Sequence, residues 1–171
     1  MHILTRLGTC TAAITVVISP AASFEIVNAG AEGGTTVALQ TALRRCDFSK
    51  VTTAAMVPRT LMGGGSALIS TTGSRAVAQV RVSIPNQPGT HYDVGLIQEP
   101  RPSSATCGPG DPGTAFTGMD TDAAGNGAVT VQDGIRQGTT GVWVIVERGN
   151  PNSQNPAEFY TSEFVVPVSG A

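Results

Sequence analysis

Short apolar stretches, separated by Gly, Pro, Asn, Asp and Ser, run along the chain from about residue 30 onward. In residues 76–84, Ala, Val and Ile alternate with Val, Gln, Arg and Ser. A two-residue period buries one face of a β-strand and exposes the other, so this stretch is predicted to be a half-buried strand. Residues 91–96 alternate in the same way, and the turn residues 85–89 between them predict an antiparallel hairpin with one common apolar face.

The sequence Val-Trp-Val-Ile-Val at residues 142–146 is apolar without interruption and predicts a central strand that is covered on both faces. Residues 160–168 alternate again and predict one last strand, with Tyr160 and Phe164 on the same face. Residues 35–45 fit either a helical turn or a leading strand. Further short strands are predicted at residues 51–56, 66–71 (after a turn at 63–65), 114–119 and 128–133.

Together these patterns predict about eight or nine strands at intervals of roughly 8–12 residues, which is typical of a β-sandwich or barrel. Amphipathic helices do not separate the strands, and a parallel α/β fold would need them. The chain is therefore predicted to be all-β and antiparallel.

The N-terminus has the pattern of a secretory signal peptide. A start with one positive charge, residues 1–6, precedes the apolar residues 7–18 and the small residues 19–23. Cleavage is expected after Ser23, with cleavage after Ala29 as the alternative. An uncleaved anchor or a buried helix is the competing interpretation, although the apolar run is shorter than the roughly 20 residues that span a bilayer.

This reading divides the chain into a signal peptide at residues 1–23, an N-terminal lead-in segment at 24–45 and a β-sandwich domain at 46–168. Removal of the signal peptide leaves two cysteines, Cys46 and Cys107. In an oxidising compartment two cysteines of one small domain most simply form a disulfide. The expected location is therefore outside the cytoplasm, either secreted or in the cell envelope, and the mature chain is expected not to span a membrane.

Composition narrows the range of partners. The chain is 40% hydrophobic, which is enough for a core, and 13% charged with a formal net charge of -2. Nucleic-acid binding needs a concentrated basic face, so nucleic acid is not an expected partner. No cofactor is expected either.

Candidate chemistry in the sequence is sparse. His91 and Asp93 lie two residues apart, so they share the polar face of a strand, and a hydrolase using His91 is the weakest of the functional readings. A Gly-x-Ser-x-Gly nucleophile elbow does not accompany them. Asp120 and Asp122 resemble the start of a calcium loop, but Ala124 occupies its third acidic position, so a hairpin turn is favoured over a metal site.

Trp143 is the only tryptophan, and with Ile145 it faces opposite to the valines beside it. A large aromatic side chain is usually buried, which favours a core position. The second reading makes Trp143 and Ile145 an exposed partner-binding pair, because Trp is enriched in binding hot spots.

Several groups of residues carry a family resemblance: Tyr92-x-Val94-x-Leu96, Cys107, Thr121-Asp122-x-x-Gly125-x-Gly127 and Gly141-x-Trp143-Val144-x-Val146. The layout resembles small secreted actinobacterial proteins, including mycobacterial ones, with an immunoglobulin-like β-sandwich, and is weakly similar to bacterial chordin-type domains. Lys50 is the only lysine among ten basic residues, and Ala, Gly, Thr and Val are abundant, which is the composition expected from a GC-rich genome such as that of an actinobacterium. In antibody-type domains the tryptophan lies between the cysteines, whereas Trp143 follows both.

The disulfide, the family resemblance and the sparse candidate chemistry together indicate the expected function. A disulfide-linked sandwich of this resemblance, with no clustered catalytic or metal-binding residues in its sequence, is expected to be a non-enzymatic secreted or envelope domain that binds a protein or an envelope component. The alternative is a small-ligand carrier with an interior cavity lined by residues such as Val80, Val94 and Phe164.

Overall fold

The computed structural model describes residues 33–52, 63–153 and 155–168. The predicted signal peptide, both predicted cleavage points and most of the predicted strand 51–56 lie outside these residues. Within the described ranges the chain forms nine strands and no helix, and none of it could therefore cross a membrane as a helix. The strands are β1 (Thr35–Gln40), β2 (Gly64–Thr72), β3 (Arg75–Ser83), β4 (His91–Glu99), β5 (Thr114–Asp120), β6 (Asn126–Gly134), β7 (Gly141–Arg148), β8 (Glu158–Ser162) and β9 (Val166–Pro167).

All the strand pairs are antiparallel, which confirms the predicted all-β, antiparallel class. The strands follow one path, β5-β4-β7-β8-β1-β2-β3-β6, and β9 pairs with β7 beside β8. Only two residue pairs, Leu39 with Ser162 and Gln40 with Thr161, join β1 to β8. The sheet therefore has two halves, β5-β4-β7-β8 and β1-β2-β3-β6, linked by a short seam.

The two halves face each other around a single hydrophobic core. Alternate residues of β3, among them Ala78 and Val80, are buried against alternate residues of β4 and β7, such as Val94 and Val144. The strands at the far ends of the path, β5 and β6, are consecutive in the chain and also lie close together in space. The curled sheet is therefore nearly closed.

The predicted hairpin between residues 76–84 and 91–96 is wrong. Both stretches are strands, but β3 pairs with β2 and β6, whereas β4 pairs with β5 and β7. The buried residue Ile84 and the turn after it carry the chain from one half of the sheet to the other. Alternation determines which face of a strand is buried, and it does not determine which strand lies beside it.

The structure decides one open prediction and corrects two others. Residues 35–40 form a strand, β1, which is one of the two alternatives predicted for residues 35–45, so the sheet includes part of the lead-in segment. Gly64 and Gly65 begin β2 instead of forming a turn. The last strand is interrupted by a bend at residues 163–164, and the side chain of Phe164 is 43% exposed, not on the inner face with Tyr160.

The carboxylate of Glu158 is buried among the residues of the main core. Glu158 is fully buried on β8 and accepts hydrogen bonds from the hydroxyl groups of Tyr92 and Tyr160, the first at 2.8 Å. Nε of Arg148 lies 3.4 Å from Oε2 of Glu158. A buried charge is tolerated when it is both paired and hydrogen-bonded, and this carboxylate has both kinds of partner.

Candidate functional site

A second layer covers the outer face of β4 and β7. We call it the cap and define it as residues 43–51, 100–113 and 163–165. Beneath it lies a small cluster made of Ile97, Trp143 and Ile145, against which cap residues Phe48, Cys107 and Val165 pack. The predicted strand at residues 142–146 is β7, and the cap explains why it is covered on both faces, as its uninterrupted apolar sequence indicates.

The disulfide predicted between Cys46 and Cys107 is present in the cap, with a Cα–Cα distance of 5.6 Å. It joins the first cap segment to the second. The third segment is held by Arg44, whose guanidinium donates 3.0 Å hydrogen bonds to the carbonyls of Phe48 and Glu163 and lies 3.7 Å from the centre of the Phe48 ring. Residues that are distant in sequence are therefore fastened into one layer.

Trp143 supports the cap from below. Its side chain is fully buried, its ring meets the Phe48 ring edge-on at 5.5 Å, and its Nε1–H donates a 2.9 Å hydrogen bond to Oε1 of Glu99. Burial raises the pKa of Glu99, and the hydrogen bond from Trp143 opposes this rise. Ile145 is also buried, at 7% exposure. The reading of Trp143 and Ile145 as exposed residues is therefore wrong, because the cap lies over both side chains.

Arg101 holds the long cap loop together from inside. Its Nη1 donates to the carbonyl oxygens of Pro112 and Gly113 at 2.9 and 3.2 Å, and its Nη2 donates to the carbonyl of Thr106 at 2.7 Å. These acceptors are neutral, so they satisfy N–H groups of the guanidinium without cancelling its positive charge.

Next to Arg101 the cap and the loop after β6 border a cleft of about 570 Å³ that is open to solvent. Three prolines form apolar walls, two arginines supply positive charge, and small residues complete the lining: Pro100, Pro102, Pro112, Arg101, Arg136, Ser104, Ala105 and Thr106. A concave surface with apolar walls and a few polar groups is the usual form of a binding site.

Arg136 reaches the cleft from the loop after β6. Gln98, a buried residue of β4, fixes the position of this loop. Its Oε1 accepts hydrogen bonds from the backbone N–H of Arg136 at 2.9 Å and from the hydroxyl of Thr139 at 2.7 Å. Its Nε2 donates to Oδ2 of Asp133 at 2.6 Å and to the carbonyl of Gly134 at 2.8 Å. One side chain therefore sets the point from which Arg136 extends.

The acidic side chains around the cleft are engaged elsewhere. Glu99 accepts the hydrogen bond from Trp143, Asp111 accepts one from the backbone N–H of Gly108, and Asp133 accepts one from Gln98. In residues 33–52, 63–153 and 155–168, the ion pairs involve His91 and Arg148, and neither Arg101 nor Arg136 takes part in one. Neither arginine of the cleft therefore forms an ion pair among the described residues, although the charge of Arg101 acts on Glu99 and partly offsets the rise that burial causes in the pKa of that carboxyl group.

The predicted pair His91 and Asp93 lies on the exposed outer face of β4, as the alternation indicates. Nδ1 of His91 lies 2.7 Å from Oδ1 of Asp120, and Nε2 lies 3.8 Å from Oδ1 of Asp93. Both ring nitrogens therefore face carboxylates, whereas a catalytic triad needs a nucleophilic hydroxyl at one of them. The part of the chain that the structure describes holds no group of three or more His, Cys, Asp and Glu arranged for a metal ion.

The calcium-like sequence at Asp120 and Asp122 forms a turn. Oδ1 of Asp122 accepts hydrogen bonds from the backbone N–H groups of Ala124 and Asn126, both at 2.8 Å, and Gly125 has φ +80°. Asp120 instead contacts His91. The two carboxylates therefore serve different partners, which agrees with the favoured turn reading.

Of the three residues suggested for an interior ligand cavity, two share the packed core and the third lies outside it. Val80 and Val94 are buried in the main core, while Phe164 is exposed in the third cap segment. The cleft uses other residues, Arg101 and Arg136, which the sequence reasoning did not single out. Residues 100–112 are rich in proline, serine and glycine, a composition that indicates a loop but does not distinguish Arg101 from other exposed charges.

Comparisons of the chain with models of protein families, with curated proteins and with solved structures give no match.

Proposed function

We propose that the protein is a non-enzymatic secreted or cell-envelope domain that binds another protein or an envelope component through its cap. The observation that carries this proposal is the open cleft of about 570 Å³ in a layer that a disulfide, Arg44 and Trp143 fasten to the sheet. Binding sites are often built from loops held by a rigid scaffold, because the loop then loses little conformational freedom on binding.

The location belongs to the same proposal. The Cys46–Cys107 disulfide favours an oxidising compartment, since cytosolic thiols are normally kept reduced. The signal-peptide pattern of residues 1–23 supports the same location. We also propose an immunoglobulin-like arrangement of the two sheet halves and kinship with the small secreted actinobacterial proteins that the sequence resembles.

The arrangement gives Trp143 an indirect role in binding. A buried aromatic side chain contributes a large apolar area to packing, and here that area lies directly under the cap. Trp143 therefore holds the shape of the cleft, and residues at the rim of the cleft make the contacts with a partner.

A capture experiment with a blocked cleft tests the proposal. The mature protein and two variants, Ser104→Trp in the cleft and Thr130→Trp on the exposed outer face of β6, are immobilised and exposed to envelope extract of the native host. We expect one component to be retained by the unmodified protein and by Thr130→Trp, and lost with Ser104→Trp. Equal retention by all three proteins, or no specific retention, would contradict the proposal.

A further inference from the structure

We propose that the cleft of the cap binds a carboxylate group attached to an apolar body, with Arg136 as the contacting residue and Arg101 as a fixed positive charge behind it. The inference rests on the proposed function and names the chemistry of its ligand. It follows from where the two guanidinium groups lie, what they already bond to and what surrounds them.

The two arginines converge although they come from different loops. A Cβ atom placed on Gly113 would lie 2.8 Å from Nη1 of Arg136 and 3.4 Å from Nη1 of Arg101. Gly113 has φ +73°, a conformation that residues with a side chain rarely adopt. The absence of a side chain at this position therefore lets both guanidinium groups approach one point at the edge of the cleft.

The two groups differ in their freedom to bind. The guanidinium of Arg101 donates three hydrogen bonds to carbonyls of its own loop, and these bonds fix its position. The side chain of Arg136 has no hydrogen-bond partner among the described residues and is exposed. Arg136 therefore retains its planar set of donors, which matches the two oxygens of a carboxylate.

The electrostatics of the cleft also favour an anion. Two positive charges close together repel each other, and the repulsion grows where protein replaces water. An anion between them would relieve that repulsion. Glu99, Asp111 and Asp133 lie on the elements around the cleft, so a ligand with one negative charge is repelled less than a doubly charged phosphate.

The walls of the cleft indicate what carries the carboxylate. Pro100, Pro102 and Pro112 present rigid apolar rings, and the cleft volume of about 570 Å³ is much larger than a free carboxylate needs. A flat or compact apolar body next to the negative group would cover the proline rings and bury apolar area. Benzoate has this combination and serves as a probe, with neutral benzamide as its counterpart of nearly equal shape.

The test is an NMR titration of the ¹⁵N-labelled mature protein at constant ionic strength. Benzoate is expected to shift the amide signals of residues 101, 103–106 and 136 in a saturable way, and inorganic phosphate is expected to bind more weakly. Arg136→Gln should weaken benzoate binding about tenfold or more, the loss of a charge-assisted hydrogen-bonded pair. Arg136→Lys should retain part of the affinity, and Arg81→Gln, at an exposed position of β3, should retain all of it.

A second variant tests the inference independently in case Arg136→Gln does not fold. Ser104→Glu places a carboxylate in the cleft itself and should abolish benzoate binding while the amide spectrum of the core stays unchanged. The inference is overturned if benzamide binds as well as benzoate, if phosphate binds more tightly, or if Arg136→Gln leaves affinity unchanged. Those results would leave the capture experiment with Ser104→Trp unaffected, so the two proposals can fail separately.

Discussion

The hydroxyl group of Tyr92 donates a 2.8 Å hydrogen bond to Oε2 of Glu158 in the middle of the core, where both side chains are fully buried. Tyr92 belongs to β4 and Glu158 to β8, and Tyr160 bonds to the other carboxylate oxygen. The three side chains form a polar group enclosed by apolar packing. Their hydrogen bonds therefore contribute to stability mainly because leaving any one of them unmade is costly.

Replacement of Tyr92 by Phe should lower the free energy of unfolding by about 1–3 kcal/mol, because Glu158 loses a buried hydrogen-bond donor. Urea unfolding monitored by Trp143 fluorescence measures the change. The variant Thr130→Val, at an exposed position, should stay within about 0.5 kcal/mol of the unmodified protein. An equally small effect of Tyr92→Phe would show that the hydrogen bond is not made in solution.

The buried group of Tyr92, Glu158 and Tyr160 should make the protein less stable at alkaline pH. Burial, and then the hydrogen bond to Glu158, raise the pKa of both Tyr92 and Tyr160 above the ordinary tyrosine value of about 10. A raised pKa means that the folded state holds the proton more tightly than the unfolded state does. The stabilisation is complete below about pH 10 and is lost as the pH rises further. Unfolding free energies from pH 8 to 11 should fall less steeply for Tyr92→Phe, and parallel curves would contradict this.

Removal of the disulfide by Cys46→Ala and Cys107→Ala together should lower the free energy of unfolding by about 4 kcal/mol, since a long loop is no longer closed in the unfolded chain. The cap should also loosen, because the disulfide joins two of its three segments. Acrylamide quenching of Trp143 fluorescence should therefore increase under conditions where the double variant is still folded. Quenching equal to that of the oxidised protein would mean that Arg44 and Phe48 hold the cap without the disulfide.

Gln98→Leu should release the loop that carries Arg136. The substitution removes four hydrogen bonds from a buried position, two that the Gln98 side chain donates and two that it accepts. We expect the free energy of unfolding to fall by about 2–4 kcal/mol. Amide hydrogen exchange at residues 135–139 should become faster than in Gln132→Leu, a substitution at an exposed position of β6. Benzoate affinity should fall with Gln98→Leu although the cleft lining is unchanged, and an unchanged affinity would show that this residue does not position Arg136.

The pKa of His91 tests the contacts that this residue makes with Asp120 and Asp93 on the exposed face of β4. The hydrogen bond to Asp120 raises the pKa of His91, with smaller contributions from the charges of Asp120 and Asp93. Asp120→Asn should therefore lower the pKa of His91, and Asp93→Asn should lower it less, because its carboxylate lies 3.8 Å away instead of 2.7 Å. NMR titration of the ring protons distinguishes the two variants. A larger effect of Asp93→Asn would reverse the assigned order of contacts.

Local features of the fold could be predicted from the sequence because they depend on nearest neighbours. The alternation at residues 76–84 identified β3 and its buried face, since side chains of a strand point to opposite faces in turn. The apolar run at residues 142–146 identified a strand covered on both sides. The Cys46–Cys107 disulfide could be predicted because these are the two cysteines that remain once the predicted signal peptide is set aside.

Relations between distant segments could not be predicted in this way. Residues 76–84 and 91–96 have an apolar face each whether they pair in one half of the sheet or face each other across the core. The cleft is even harder to predict from the sequence, because Arg101 and Arg136 come from separate loops and approach each other only where Gly113 leaves room. Loop residues carry no periodic signal, so the sequence alone did not distinguish these arginines from other exposed charges.

Site-specific photo-crosslinking in the native host tests the central claim most directly. A photoreactive residue is placed at the exposed Ser103, between the cleft-lining residues Pro102 and Ser104, or at Thr130, on the outer face of the opposite sheet half. The account predicts that the exported protein forms one dominant adduct from position 103, identified by mass spectrometry, and none from position 130. Adducts from position 130 alone, or the same adducts from both positions, would contradict the assignment of the cap as the binding surface.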